Sequence, residues 1–275
     1  MSVVVSWDEV RPLAVTGLPQ RIVPLVLGYE PISEALSMRG GSAFSYLMEP
    51  VTAAAVVFER GWVLLDGGFD PARVRDDTVR RESFDYRNYT PIVPGDDPLV
   101  EQVAAAGLSW NHLAAAAISH AHFDHTGAAR LLDPHQPLIV QAKEWEHVQT
   151  TPSERDAFLF RDDFDHVGLT LALIDGDVDL APGLRALATP GHTPGHQSFA
   201  VTLPDRTVVL AGDAADLRRN LERRLPPGSV ARENDAPLAE TAIARLADLD
   251  ARADTEVWPS HDPDWAPWRR VIDER

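Results

Sequence analysis

The chain has 275 residues, of which 44% are hydrophobic and 24% are charged, a composition typical of a globular protein with a sizeable core. Its formal net charge of −17 excludes nucleic acid and membrane surfaces as expected partners, because both are negatively charged. The chain has no cysteine, which excludes disulfides and thiolate metal sites. Residues 1–15 lack the basic start of a signal peptide, so we expect a cytoplasmic protein.

The first predicted elements along the chain are a β-hairpin and a helix. Residues 53–58 and 62–66 are apolar runs around a short Glu-Arg-Gly segment, which is typical of a hairpin. Residues 70–97 are polar and contain several prolines, so we predict a long loop there. The Asp-Pro pair at 97–98 is a typical helix start and Gly107 a typical end, so a helix is predicted between them.

The remaining predicted elements alternate between strands and helices. Residues 114–119 form a short buried strand that runs directly into a histidine-rich segment. Residues 127–132 can form a helix, and residues 142–166 are predicted to be mostly helical or irregular. Further strands are predicted at 138–141, 171–174, 184–188, 197–203, 207–211 and 255–258, and further helices over about 237–249 and at the C-terminus. This order, without repeats or linkers, indicates a single domain of the α/β class, residues 1–275, with its site built from loops.

The segment His-Ala-His-Phe-Asp-His at 120–125 contains three imidazoles and one carboxylate within six residues. Neutral imidazole and carboxylate are ligands that suit Zn²⁺, Mn²⁺, Fe²⁺ and Co²⁺. His120 and His122 are two residues apart, so both can face the same way, while Asp124 and His125 face a second position. A solvated polar loop is the alternative interpretation, but the density of ligands favours a metal site.

Three further motifs follow predicted strands and complete the ligand count. They are Gly-His-Thr-Pro-Gly-His at 191–196, Ala-Gly-Asp at 211–213 and Ser-His-Asp at 260–262. Two divalent cations are predicted, each with room for water, as catalysis requires. One cation is assigned to His120, His122 and His192, the other to Asp124, His125 and His261, and Asp213 bridges the two. Asp124 and Asp213 are also the predicted catalytic residues, with Asp124 carrying a proton from the attacking water to the leaving alkoxide.

These motifs resemble those of the metallo-β-lactamase superfamily and, within it, the quorum-quenching N-acyl homoserine lactonases. The resemblance extends from about residue 51 to the end of the chain. It implies a four-layer αββα sandwich with a dinuclear site at one edge and with the ligand roles given above. Residues 1–50 are then an N-terminal extension, which we expect to be able to cover the site. The segments that carry the resemblance are Leu-Asp-Gly-Gly at 65–68, Ser-His-Ala-His-Phe-Asp-His at 119–125, Ile-Val-Gln at 139–141 and Thr-Pro-Gly-His-Thr-Pro-Gly-His-Gln-Ser at 189–198.

Two residues are predicted to support the ligands without binding metal themselves. The resemblance implies that Asp66 orients a histidine ligand, the alternative being an ordinary turn aspartate. For His196, four residues after His192, we predict a structural hydrogen-bonding role beside the ligands.

The function implied by the resemblance is hydrolysis of a lactone ring, with N-acyl homoserine lactones or related lactones as substrates. The expected cofactors are two divalent metal ions per chain, Zn²⁺ in the first place, with Mn²⁺, Fe²⁺ or Co²⁺ as alternatives. A hydroxide that bridges the two cations is the expected nucleophile. The expected partner is therefore a small lactone or ester, and a homodimer is left open.

One position departs from the lactonase pattern. Family lactonases carry a tyrosine three residues after the bridging aspartate, where this chain has Asp216, and Tyr86 or Tyr89 is a candidate to replace it from another loop. The resemblance leaves alternatives open, because the same kind of site in the superfamily also serves aryl esters, organophosphate triesters, glyoxalase II-like thioesters and β-lactams, and iron in a related site oxidises persulfides. Candidates for either an apolar substrate pocket or the core are the aromatic residues of 142–166 and, near the N-terminus, Met38, Phe44, Tyr46 and Met48.

Overall fold

Two β-sheets form the centre of the protein, in a computed structural model that describes residues 2–84, 90–152, 158–166 and 168–273. Within these ranges the first sheet has seven strands and the second has five. The strands of the first sheet are β1 (Val3–Ser6), β2 (Arg21–Ser33), β3 (Tyr46–Val57), β4 (Trp62–Leu65), β5 (Leu113–Ala117), β6 (Leu138–Gln141) and β7 (Thr170–Ile174). Those of the second sheet are β8 (Val178–Ala181), β9 (Leu184–Ala188), β10 (Gln197–Thr202), β11 (Thr207–Leu210) and β12 (Thr255–Trp258).

Helices connect and cover the strands. The α-helices are α1 (Trp7–Val10), α2 (Glu34–Ser37), α3 (Pro71–Arg75), α4 (Asp77–Ser83), α5 (Pro98–Ala105), α6 (Ala142–Thr150), α7 (Arg218–Arg223), α8 (Ala236–Asp250) and α9 (Ala266–Asp273). Short 3₁₀-helices span Trp110–His112, Gly127–Leu131, Arg161–Phe164, Gly212–Ala214 and Glu233–Asp235. None of the described helices is long and apolar enough to cross a membrane.

The direction of the strands brings several carboxyl ends to a common edge. In the first sheet, ordered β1-β7-β6-β5-β4-β3-β2, strands β4, β5, β6, β7 and β1 run parallel, and the register pairs Leu65 with Ala117 and Ala117 with Ile139. In the second sheet, ordered β12-β11-β10-β9-β8, strands β9, β11 and β12 run in the same direction. The residues that follow these strands are therefore placed close together in space.

Clusters of apolar side chains lie between the two sheets and on the outer face of each sheet, and helices form the two outer layers. Leu65 of the first sheet and Phe199 of the second belong to the core between the sheets. Val103 of α5 packs in the core on the outer face of the first sheet, and Leu246 of α8 in the core on the outer face of the second. Full burial of such a side chain stabilises the fold by about 1.5–3 kcal/mol. The layers are helix, sheet, sheet and helix, so the predicted αββα sandwich is confirmed.

Most predicted strands and helices are confirmed to within a few residues, and the exceptions have local causes. The predicted loop over 70–97 is wrong in part, because it contains α3 and α4, whose first turns are capped by the side chains of Asp70 and Asp76. The predicted helix at 127–132 is a 3₁₀-helix. Strands β1, β2 and β8 and helices α1, α2 and α7 were not predicted.

Candidate metal centre

Five strand ends supply the side chains of the predicted site. In the first sheet, Asp66 follows β4 and residues 119–125 follow β5. In the second sheet, His192 comes after β9, Asp213 after β11 and His261 after β12. The chemistry-bearing residues are therefore presented by loops at the ends of packed, rigid strands.

The first of the two buried clusters formed entirely by predicted ligands contains three histidines and one aspartate, His120, His122, His192 and Asp213, whose ligand atoms all lie within 4.8 Å of one another. Nδ1 of His122 is 3.1 Å from Nε2 of His192. Nε2 of His120 and Nε2 of His192 lie 3.7 Å and 3.6 Å from Oδ2 of Asp213. Ligands at the usual zinc distance on a tetrahedron are about 3.3 Å apart, so the cluster fits one divalent cation.

The second cluster contains two histidines and two aspartates, Asp124, His125, Asp213 and His261, again with ligand atoms within 4.8 Å of one another. Nε2 of His125 is 3.1 Å from Oδ2 of Asp124 and 3.3 Å from Oδ1 of Asp213. Nε2 of His261 is 3.0 Å from the same Oδ1 atom. The structure thus brings together all seven predicted ligand residues.

Asp213 belongs to both clusters through different oxygen atoms. Its Oδ2 faces His120 and His192, and its Oδ1 faces His125 and His261. The hydroxyl of Ser260 also donates to Oδ1, at 3.1 Å. A carboxylate in this position can bind two cations at once, one through each oxygen.

The protonation of His120 and His192 fits a metal-binding role, whereas His125 and His261 would have to release a proton before they bind a metal ion. Burial lowers the pKa of His192 to about 4 and that of His120 well below its ordinary value, so both rings are neutral and can offer a lone pair. Burial also disfavours charge on His125 and His261, but the neighbouring carboxylates raise the pKa of both well above the ordinary value, so a positive charge is favoured there. The buried Nε2 atom of His120 has no hydrogen-bond partner among the described residues, and a metal ion would supply one.

Asp66 lies behind His125, on the side away from the clusters. Its Oδ2 is 3.1 Å from Nδ1 of His125, and its Oδ1 accepts a 2.6 Å hydrogen bond from the backbone N–H of Ser119. Asp66 has a φ of +59°, a conformation that aspartate tolerates better than most residues. A carboxylate at Nδ1 directs Nε2 toward the second cluster, which supports the predicted orienting role.

His196 is buried behind the first cluster, with its ring centroid 5.3 Å from that of His120. Its Nδ1 donates to the backbone carbonyl of Thr189, at 3.1 Å. Burial lowers the pKa of His196 to about 3, so the ring is neutral. These contacts support the predicted hydrogen-bonding role.

A small cavity of about 60 Å³ opens onto both clusters. The register of β2 and β3 pairs Glu30 with Glu49 on its wall. Burial raises the pKa of Glu49 to about 8. Among the described residues, no arginine or lysine lines the cavity. Beyond the predicted ligands, the lining residues are Glu30, Ile32, Leu36, Glu49, Phe158, Asp216 and Ser229.

The candidates for an apolar pocket have mixed outcomes. Phe158 lines the cavity, with its ring centroid 5.6 Å from that of His122. Phe164 and Met38 are buried in the core. The side chains that lie on the surface, contrary to both alternatives, are Phe44, Tyr46 and Met48, which are 96%, 53% and 50% exposed. Tyr86 and Tyr89 lie outside the described residues.

Asp216 occupies the position of the family tyrosine and lies beside the metal clusters. It lines the cavity but is buried, and its Oδ1 has no hydrogen-bond partner among the described residues. Burial, together with the nearby charge of Asp213, raises the pKa of Asp216 well above its ordinary value. A protonated carboxyl group can donate a hydrogen bond, as a tyrosine hydroxyl does.

An αββα sandwich whose edge carries two buried His/Asp clusters, joined by one aspartate and open to a cavity, is the arrangement of a metal-dependent hydrolase. The family model of the Metallo-beta-lactamase superfamily matches residues 46–269. The chain belongs to this superfamily, as its motifs predicted.

Two curated relatives and one solved structure illustrate the match. The chain is 30% identical over 244 residues to the N-acyl homoserine lactonase AttM of Azorhizobium caulinodans, which covers 86% of this chain and 90% of the relative. It is 29% identical over 226 residues to the N-acyl homoserine lactonase AiiA of Bacillus thuringiensis subsp. kurstaki, covering 82% and 86% of the two chains. A solved N-acyl homoserine lactone hydrolase, with the product N-hexanoyl-L-homoserine at its catalytic metal center, is similar with a TM-score of 0.78 and 23% identity, covering 93% of this chain and 97% of that one. The structural similarity confirms the predicted fold.

Proposed function

We propose that the protein opens lactone rings by hydrolysis at two divalent metal ions, with N-acyl homoserine lactones or related lactones as substrates. The observation that carries this proposal is the placement of Asp213, whose two oxygens face separate clusters of buried ligand atoms at 3.0–3.7 Å. The relatives that are named N-acyl homoserine lactonases support lactones as the substrate class.

The proposed ligand sets follow the two clusters. Imidazole and carboxylate donors without thiolates suit Zn²⁺ best, and Mn²⁺, Fe²⁺ or Co²⁺ also fit. When bound, the two cations polarise a carbonyl oxygen and lower the pKa of a water molecule to about 7. One cation would be held by His120, His122 and His192, the other by Asp124, His125 and His261, and both by Asp213.

Asp124 is the proposed carrier of the proton. Burial disfavours its ionisation, but His125 beside it outweighs this and lowers the pKa of Asp124, so the side chain is a carboxylate that can accept a proton. Asp124 lines the cavity, where it can reach both the attacking water and the ring oxygen of a bound lactone. It would take the proton from the water and return it to the leaving alkoxide.

The lining of the cavity supports neutral substrates. β-Lactam antibiotics and glutathione thioesters carry carboxylates, and cationic side chains beside the metal centre would favour the binding of such anions. The lining residues that the structure describes include no such side chain, and they include the carboxyl groups of Glu30, Glu49 and Asp216. Lactones fit this lining, and so do aryl esters and organophosphate triesters, which are the second candidate substrates.

The N-terminal segment contributes to the cavity wall through Glu30, Ile32 and Leu36. This contact supports the proposal that residues 1–50 cover the site and form one domain with the rest of the chain. Strand β2 also pairs with β3 along most of its length: Arg21 pairs with Val57 at one end, and Ser33 pairs with Tyr46 at the other.

A substrate panel tests the proposed function. Zinc-loaded protein would be assayed for acid release from acyl homoserine lactones, γ- and δ-lactones, aryl esters, paraoxon and a glutathione thioester. We expect lactones to give the highest kcat/KM. Rapid cleavage of aryl esters or paraoxon without any lactone turnover would contradict the lactonase proposal but leave a dinuclear hydrolase. An optical spectrum of the purified protein separates iron chemistry from zinc, because zinc is colourless.

A further inference from the structure

We propose that Glu144 is a positioning residue that sets the distance between the two loops carrying the histidines of the first cluster. Glu144 lies in the first turn of α6, directly after β6, and is only 1% exposed. It binds no metal in the scheme above and is part of none of the sequence motifs. The inference rests on the proposed metal centre but does not depend on the identity of the substrate.

Three hydrogen bonds connect the Glu144 carboxylate to both loops. Oε1 accepts from the backbone N–H of Ala121 at 2.9 Å, and this residue stands between two ligand histidines in the loop after β5. Oε2 accepts from the hydroxyl of Thr193 at 2.8 Å and from the backbone N–H of Gly195 at 2.9 Å. Both of these donors are in the loop that begins with His192. A single side chain thus joins two segments that are far apart in the sequence.

The second loop lies directly against α6. A Cβ atom on Gly195 would lie 2.1 Å from the backbone nitrogen of Glu144, a separation that no side chain can occupy. Glycine is therefore required for the close approach that lets the N–H of Gly195 reach the carboxylate. The contact between the loop and the helix is specific rather than incidental.

The energetics of a buried carboxylate favour a geometric role. The three donors to Glu144 are uncharged, so its desolvation is offset by hydrogen bonds alone. Bonds to an ionised acceptor are short and directional, and a shift of either loop leaves a buried oxygen unpaired. The relative position of the loops, and with it the 3.1 Å approach of His122 to His192, is therefore held before any cation binds.

The second cluster is held by different contacts. His125 is oriented by Asp66, and Nδ1 of His261 donates to the carbonyl of Pro50 at 2.9 Å. Loss of the Glu144 carboxylate should therefore weaken one cation site more than the other. If Glu144 only stabilised the fold, its loss would weaken the binding of both cations equally, because both sites are lost when the protein unfolds.

The test is Glu144→Gln, which keeps an acceptor for one loop but not for both. Chelator competition with Zn²⁺ should show roughly 10–100-fold weaker binding of one cation and little change in the other. In the metal-free protein, hydrogen exchange at the amides of Ala121 and Gly195 should accelerate. In the zinc-loaded protein, lactone kcat should fall with KM nearly unchanged.

The control is Asp250→Asn, which perturbs a carboxylate outside the metal centre that accepts from the Arg218 guanidinium at 2.9 Å and from the backbone N–H of Val257 at 3.0 Å. It should lower stability without changing either metal affinity.

A milder pair of variants covers the case in which Glu144→Gln does not fold. Thr193→Val removes one donor and should weaken the same cation, whereas Thr193→Ser keeps the hydroxyl and should behave like the wild type. Equal weakening of both cations, or unchanged affinity in Glu144→Gln or Thr193→Val, would overturn the proposal. The titrations use no substrate, so a wild-type protein that ignores lactones would contradict the proposed function and leave the role of Glu144 standing.

Discussion

Nδ1 of His122 and Nε2 of His192 lie 3.1 Å apart although 70 positions separate the two residues in the sequence. A cation between them would bind both lone pairs, and the second cluster would hold another cation, so we expect two divalent metal ions per chain. His122→Ala should lower the metal content and reduce lactone hydrolysis by at least about 100-fold, because a ligand to a catalytic cation is lost. Metal analysis by mass spectrometry and an activity assay on the same sample check this. A variant that lacks metal but keeps full activity would contradict the mechanism.

Asp213 and His261 are expected to differ in their effects on metal binding. Asp213 faces both clusters, so Asp213→Ala should weaken both cations. His261 belongs to the second cluster through its Nε2 atom, so His261→Ala should mainly weaken one. Stepwise zinc titration of the two variants measures the difference. Complete loss of both cations in both variants would show that the two sites cannot be separated in this way.

Asp216 is expected to limit the turnover of acyl homoserine lactones. It lines the cavity at the position where family lactonases have a tyrosine that supports the substrate carbonyl. A donor to the developing oxyanion is worth on the order of 3 kcal/mol. The hydroxyl of a tyrosine extends farther than the carboxyl group of an aspartate, so Asp216→Tyr should raise kcat/KM, by about tenfold. Asp216→Asn keeps a hydrogen-bond donor and should retain more activity than Asp216→Ala. If Asn and Ala variants are equally active, the side chain does not donate to the substrate.

Asp163 is expected to make the stability of the protein depend on pH. Burial raises the pKa of Asp163 to about 6 from its ordinary 3.8, although Arg73, with Nε 3.0 Å away, opposes this. The folded protein therefore keeps this proton up to about pH 6, whereas the unfolded chain loses it near pH 3.8. The contribution to stability falls as pH rises through this window, by up to about 3 kcal/mol.

Asp163→Asn has no proton to lose and provides the comparison. In urea unfolding of the metal-free proteins from pH 4 to pH 7, the stability of the wild type relative to the variant should fall as pH rises. Other titrating groups are common to both proteins and cancel in the difference. Parallel stability curves would show that Asp163 ionises at its ordinary pKa.

The ligands could be predicted because each lies in a short motif whose chemistry is visible locally. His120, His122 and His125 stand within six residues, and the register of the parallel strands then brings their loop to the other motifs. Glu144 could not be predicted in the same way, because a glutamate in the first turn of a helix is ordinary in sequence. Only packing shows that its carboxylate contacts two loops. The pairing of Glu30 with Glu49 likewise depends on a strand register that no motif encodes.

The missed elements have similarly physical reasons. Strand β2 contains Pro24 and Pro31, which argue against a strand in sequence, but β2 is at the edge of its sheet, where proline is tolerated. Helix α3 begins with Asp70 and Pro71, the same pair that predicted α5 correctly. The Asp-Pro pair therefore indicated a helix here too, but the polar composition of residues 70–97 led to the prediction of a loop.

The acidic lining of the cavity has a consequence for the end of the reaction cycle. Opening a lactone turns a neutral ring into a hydroxy acid, which is an anion at neutral pH. The anion forms beside Glu30, Glu49 and Asp216, and the described lining has no guanidinium or ammonium group to retain it. Burial raises the pKa of Glu49 to about 8 and that of Asp216 well above its ordinary value, so these two groups are uncharged near neutral pH and do not repel the anion. The cations of the proposed metal centre would hold its carboxylate, so the acid that accumulates should inhibit hydrolysis.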